Sequence, residues 1–130
     1  MYCPITVDDV DAAIGFYRDA LGLEVTNDVA SDGHRWVTLG TADASGPALV
    51  LSDPAAGRSP EDGEALHRLV AKGSGPGPYV FFAGDLDAVF ERASASGVEV
   101  LQEPMDQPWG VRDCALRDPA GNHIRINQAR

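Results

Sequence analysis

VDDVDAAIGFYRDALGLEV, residues 7 to 25, returns in outline as AGDLDAVFERASASGVEV, residues 83 to 100. Both stretches run Asp, an apolar residue, Asp, Ala, a helical stretch, then Gly, an apolar residue, Glu and Val. Asp85 stands 76 residues after Asp9, while Gly97 stands 75 after Gly22, so the copies differ by one residue inside the helical stretch. Val10, Ile14, Tyr17 and Leu21 recur at helical spacing in the first copy, as do Leu86, Val89, Phe90 and Ala93 in the second, which predicts two amphipathic helices. Asp9 and Asp85 suit the caps that satisfy free amides at a helix start, and Gly22 and Gly97 suit the left-handed residue that ends one.

Outward from the helices the repeat continues. Asp43, Gly46, Leu49 and Leu51 fall 75 residues before Asp118, Gly121, Ile124 and Ile126. Strands are expected near 2–7, 24–29, 34–39 and 47–52, and again near 78–83, 98–103, 112–117 and 123–127. Each half then reads strand, helix and three strands. This is an α+β chain of two tandem βαβββ modules, about 1–53 and 78–130, joined by a short helical connector over 54–77. In the connector Ser59-Pro60-Glu61-Asp62 resembles a helix start, Leu66, Leu69 and Val70 give one apolar side, and His67 reads as a solvated surface residue. The run Gly73 to Pro78 reads as a connector with little regular structure.

A chain of 130 residues, 44% hydrophobic and 23% charged, is enough for one folded unit. Twenty acidic against ten basic residues give a net charge of −10, which repels nucleic acid and anionic membrane surfaces, so neither is expected as a partner. The start MYCPITVDDVD has no basic region followed by a long apolar core, and no apolar run approaches bilayer length, so a cytoplasmic protein is expected. Cys3 and Cys114 have no metal-type spacing and read as two buried thiols. The sequence contains no recognisable Ser-His-Asp or Cys-His constellation and no phosphate-binding glycine loop, and catalytic residues are left unassigned.

The first helix with its FYRDALGL, together with RDPAGN at 117–122, resembles the vicinal oxygen chelate superfamily over nearly the whole chain, and most of all its glyoxalase/bleomycin-resistance branch. That resemblance implies curved mixed sheets around a cup, and a homodimer in which each cup draws on both chains. Metal-dependent members carry ligands on the first and last strand of each module. The Asp-Pro-x-Gly-Asn turn sets the last of these at Arg125, and the internal repeat then sets the others at Tyr2, Val50 and Pro78. Imidazole, carboxylate or thiolate donors are absent from that set, so no metal and no cofactor is expected.

Alternation along the strands gives a second view of the cup. If Ile124 and Ile126 face the core, His123, Arg125 and Asn127 face the cup. By the same rule Cys3, Ile5, Leu49, Leu51, Tyr79 and Phe81 face the core, while Tyr2, Val50 and Phe82 turn the other way. Trp36 serves equally as a packed sheet residue or a ligand contact, whereas Trp109, in PMDQPWG, is expected to stack on a ligand or a partner chain. Arg112 offers a guanidinium edge, or a partner for Asp113 or Asp106. Arg125 either pairs with a carboxylate such as Glu103 or Glu99, or clamps a ligand carboxylate or phosphate through two bonds. The ligand-contacting set is therefore Tyr2, Trp36, Val50, Phe82, Trp109, Arg112, His123 and Arg125. The expectation is a metal-free protein that binds a small aromatic or partly charged molecule, an antibiotic among the candidates. The alternative is a lyase, isomerase or dioxygenase with a displaced metal site at His34 or His123, or with none; a third class is an accessory domain without a ligand.

Overall fold

The structure is a computed structural model that describes residues 1–43 and 45–130. Strands β1 (Tyr2–Thr6), β2 (Glu24–Ser31), β3 (His34–Gly40) and β4 (Ala48–Ser52) form one mixed sheet in the order β1-β4-β3-β2. Strands β5 (Tyr79–Ala83), β6 (Val100–Asp106), β7 (Arg112–Arg117) and β8 (His123–Gln128) form a second in the matching order β5-β8-β7-β6. In each sheet the first and last strands pair in parallel, and the rest pair antiparallel. Neither sheet closes. The repeat reaches the register: Pro4 pairs with Val50, and Val80, 76 residues after Pro4, pairs with Arg125, 75 after Val50.

The extra residue of the first copy is absorbed in its helix. Helix α1 is regular over Val10–Ile14 and continues as a π-helical turn over Gly15–Ala20, in which the Leu21 N–H donates to the Phe16 carbonyl five residues back at 3.1 Å. A π turn is the way a helix takes in one residue without losing its hydrogen bonds. Here it lets Ile14, Phe16, Tyr17 and Ala20 all reach the core, with the Phe16 and Tyr17 rings edge to face at 5.0 Å. Its counterpart α3 (Leu86–Ala95) has no such turn. Asp9 and Asp85 cap the amides of Ala12 and Ala88, and Gly22 and Gly97 take φ of 81° and 91° to end the two helical segments.

The core follows the strand alternation. Ile5, Leu51, Ile124 and Ile126 are buried, and Tyr79 and Phe81 pack against them, so one apolar cluster draws on both halves. Polar contacts cross the same junction: Tyr17 Oη donates to Asp118 Oδ2 at 2.6 Å, Asn122 Nδ2 to the Thr6 carbonyl at 2.8 Å, and Arg92 Nε to the Ala20 carbonyl at 3.3 Å. Asp118 also accepts the amides of Ala120, Gly121 and Asn122 through Oδ1, which is why this turn needs aspartate at its head.

Several boundaries differ from those read in the sequence. The connector holds helix α2 (Pro60–Ala71), capped by Ser59, with Val70 buried; Leu69, expected on the apolar side, is exposed. His67 lies on the surface with Nε2 3.4 Å from Asp8 Oδ2. Strand β6 begins at Val100 rather than 98 and passes through Pro104, because register shifts between Val100 and Gln102 and between Gln102 and Met105 place the proline in a bulge. Strand β2 extends to Ser31, and all eight of its residues are exposed.

Candidate functional site

The second sheet assembles the polar centre of the cup. Across β6, β7, β8 and β5 one row reads Gln102, Ala115, Arg125 and Val80, and the next reads Met105, Asp113, Asn127 and Phe82. Ala115, with only a methyl, lets the Arg125 side chain cross it. Arg125 Nη2 donates to Asp113 Oδ2 at 2.8 Å and to Gln102 Oε1 at 3.0 Å. Asp113 Oδ1 accepts from Gln102 Nε2 at 3.0 Å and from Gln107 Nε2 at 2.9 Å. Burial pushes the Asp113 carboxyl up, but hydrogen bonds from Arg125, Gln107 and Gln102 and the Arg125 charge outweigh it, and the net direction is down. The pair is therefore ionised on both sides and balanced.

Gln107 begins the loop that carries Trp109. Its amide donates to the Val111 carbonyl at 2.7 Å, and the loop turns at Gly110, whose φ is 90°. Its side chain thus fastens the Trp109 loop to Asp113 while Trp109 itself stands 68% exposed. Phe82 (72%) and Tyr2 (67%) are comparably open, the opposite of what packed sheet residues of that size show. Phe82, Val111 and Asn127, with the last three residues of the chain, line a hollow of about 400 Å³.

His123 shares the cup face of β8 with Arg125, opposite Arg117 on β7. Burial, then the charges of Arg125 and Arg117, lower its pKa, so the ring is neutral near pH 7. Its Nε2 is buried without a partner among the described residues. In the first sheet the buried Val37 and Leu39 turn His34, Trp36 and Thr38 to the cup face, where Thr38 pairs with Val50. His34 Nδ1 lies 2.7 Å from Asp53 Oδ2, and the His34 and Trp36 rings are 6.0 Å apart.

Of the residues anticipated from sequence, Phe82, His123 and Arg125 share the second sheet's cup face, and Trp36 and Val50 that of the first. Tyr2 and Trp109 are open, at the start of β1 and in the β6–β7 loop. Arg112 goes elsewhere: alternation from Asp113 turns it to the opposite face of β7, where Nη2 is 2.8 Å from Asp87 Oδ1 and Nη1 3.8 Å from Asp106 Oδ1. Of its two anticipated carboxylates it keeps Asp106, and gains Asp87 on α3. Arg125 finds a carboxylate, but it is Asp113 rather than Glu103 or Glu99; Glu99 pairs with Arg117. Gln102, Gln107 and Asp53 were not anticipated, and Asp113 was anticipated only as a partner for Arg112. Extending the alternation inward from Cys114 and Leu116 on β7 would have put Asp113 and Ala115 beside Arg125. Cys114 is buried and its thiol is pushed up to about 11 by burial, so it carries no nucleophile at neutral pH.

A wider hollow of about 810 Å³ lies by α1 and the Asp118 turn, with Asp8, Asp19, Glu99 and Arg117 on its walls. It contains none of the anticipated ligand contacts.

Two mixed sheets with this order, helices against one face and an open cup on the other define a βαβββ tandem of the vicinal oxygen chelate kind. Residues 2–126 match the model of the Glyoxalase/Bleomycin resistance protein/Dioxygenase superfamily, and the chain belongs to that family. It is 32% identical to UcmS2, whose crystal structure superposes with a TM-score of 0.83, covering 97% of this chain and 94% of that one. It is 26% identical to TnmS3, an antibiotic binding protein from Streptomyces sp. CB03234, with a TM-score of 0.71 over 99% and 93% of the two chains. The uncharacterized protein YurT of Bacillus subtilis is 29% identical over 125 residues, 95% of this chain and 94% of that one.

The family includes metal-dependent members, whose ligand positions correspond through the internal repeat to Tyr2, Val50, Pro78 and Arg125. Val50 pairs with Pro4 in the first sheet and Arg125 with Val80 in the second, with Tyr2 and Pro78 two residues before these partners. Five of these six side chains hold no imidazole, carboxylate or thiolate and neither does the sixth, Tyr2; Arg125 brings a positive charge already bound to Asp113. Among the described residues no three His, Cys, Asp or Glu side chains converge. A divalent cation does not fit this donor set.

Proposed function

We propose that this protein binds a small aromatic molecule, of the antibiotic class, in a cup that holds no metal, and that it works in the cytoplasm as a homodimer. The observation that carries the reading is the Arg125–Asp113 ion pair at the centre of the cup face, locked by Gln102 and Gln107 where metal-dependent relatives need donors. Around it Tyr2, Phe82 and Trp109 offer open apolar and aromatic surface, the composition of a small-molecule site. The likeness to TnmS3, an antibiotic binding protein, supports the ligand class. An open apolar cup and the fully exposed β2 edge support a second copy, since both are better covered than left in water. The test is saturable tryptophan quenching of metal-stripped protein by members of an antibiotic collection. Binding that appears only after one equivalent of a transition metal is restored overturns the reading.

One observation favours a second reading, that of an enzyme. The His34–Asp53 pair orients an imidazole on the first sheet's cup face, the arrangement of a general base. Turnover of a ligand that survives chelation and is lost in His34→Gln would establish it.

A further inference from the structure

The Arg125 guanidinium is held by one nitrogen. Nη2 makes both of its bonds, to Asp113 Oδ2 at 2.8 Å and to Gln102 Oε1 at 3.0 Å, and among the described residues Nε and Nη1 have no partner. A guanidinium clamps a carboxylate or phosphate through one of two forks, Nε with Nη2 or Nη1 with Nη2. Both forks need Nη2, which already makes two bonds. A two-point clamp on an anion, one of the roles expected for Arg125 from sequence, is therefore closed. The charge is also taken, because the Asp113 partner is 4% exposed and fixed in place, while the Arg125 side chain keeps 25% of its surface open. Asp113 in turn has its oxygens filled by Arg125, Gln102 and Gln107, so it offers little to a cationic ligand. The chain's net charge of −10 opposes anions as well.

What is left is the Nε–H and the two Nη1 N–H of a guanidinium whose charge is already balanced, donors that no longer form a fork with Nη2. We propose that Arg125 is the orienting contact of the cup and gives one N–H to an uncharged acceptor oxygen, of the carbonyl class, carried by an aromatic ligand. The inference rests on the binding reading above and names the chemistry that site selects. Val80 and Phe82 on β5 and Met105 on β6 flank the donor with apolar surface, so a planar ring reaches it without displacing the ion pair. An unmatched donor in such a setting rejects a ring that lacks the oxygen, which is how a polar group inside an apolar site creates selectivity.

Three probes of one shape separate the possibilities: 2-acetylnaphthalene with a carbonyl, 2-ethylnaphthalene with none, and 2-naphthoate with an anion. Titrated by tryptophan quenching, the wild-type chain is expected to bind the ketone about tenfold more tightly than the hydrocarbon and no less tightly than the carboxylate. Arg125→Met is expected to remove the difference between ketone and hydrocarbon. Because that variant leaves Asp113 buried without its partner and risks misfolding, Asp113→Asn is the second test. It frees the Arg125 charge, and preference should swing about tenfold toward 2-naphthoate. Equal, saturable binding of ketone and hydrocarbon overturns the donor role while leaving the aromatic cup intact, as does a wild-type preference for the carboxylate. No saturable quenching by any of the three overturns the donor role and counts against the aromatic cup itself.

Discussion

Asp118 and Tyr17 show how much one residue pair can hold. Asp118 is buried and accepts three amides of its own turn, the Asn122 side chain and the Tyr17 hydroxyl, so it ties the last hairpin to the first helical segment. Asp118→Ala leaves the Ala120 and Asn122 amides and the Tyr17 hydroxyl without this acceptor and is expected to cost about 3 kcal/mol or more in urea unfolding. Tyr17→Phe removes one bond and is expected to cost about 1–2 kcal/mol. Burial, then the Asp118 charge and hydrogen bond, raise the Tyr17 pKa well above the ordinary 10.0. Because the folded chain keeps this proton more tightly than the unfolded one, its contribution is full below pH 10.0 and is lost as pH rises through the folded value. Unfolding free energy measured across the alkaline range should therefore fall in the wild type, and Tyr17→Phe should flatten part of that fall, the raised Tyr79 and Cys114 groups contributing the rest. At the cup, Ala115→Leu puts a bulky side chain under Arg125. Separation of the guanidinium from Gln102, seen as a change in its NMR N–H signals, is the expected result.

Among the elements, the π turn of Gly15–Ala20 and the Asp118 turn are the two places where local geometry is most constrained. Deleting Gly15 would give the first helix the length of its counterpart α3. It would also rotate Val10 and Ile14 about a quarter turn away from Phe16 and Tyr17, since each helical residue advances by roughly 100°. The expected outcome is a loss of about 3 kcal/mol in thermal unfolding, from apolar side chains leaving the core. Gly121 has φ of 109°, and a methyl there would run into the backbone carbonyls of Val70 and Ala71 at the end of α2. Gly121→Ala is expected to destabilise by about 2 kcal/mol or more, whereas Gly33→Ala, equally left-handed at φ 79° but with open space around it, should cost only about 1 kcal/mol. The comparison separates collision from backbone strain.

For the whole molecule, the expectation is linkage between assembly and binding. The cup faces carry Tyr2, Val80, Phe82, Met105 and Trp109 largely in the open, and the β2 edge has unpaired backbone groups along eight residues. Sedimentation at micromolar concentration is expected to show a dimer, and Phe82→Asp is expected to dissociate it and to lose ligand quenching together. A monomeric wild type that still binds a ligand saturably would break that linkage.

The helices, the strand count and the core face were legible because they rest on short-range regularities: apolar periods of two and of 3.6, caps at Asp9 and Asp85, and glycines at Gly22 and Gly97 that a left-handed turn requires. The repeat offset even carried the extra helical residue, though not the π turn that absorbs it, because many positions in a helix can take an insertion and only packing of Phe16 and Tyr17 against both halves selects one. The cup's strand faces were legible for the same reason, down to Arg125. Its partner was not. Which carboxylate meets Arg125 depends on bulges in β6 that set Gln102 beside Ala115, and on a loop that returns Gln107 to Asp113, neither of which leaves a period in the sequence. Arg112 on β7 and Arg125 on β8 are sent to opposite faces by strand alternation, but which carboxylate each meets, Asp87 on the helix side and Asp113 in the cup, follows from the packing of α3 and the register between strands. The sequence by itself determined the modules and the faces of their strands, because those follow from neighbours along the chain. The tertiary structure alone decided which charges meet and which donors stay free, because those are relations between strands that the chain brings together from far apart.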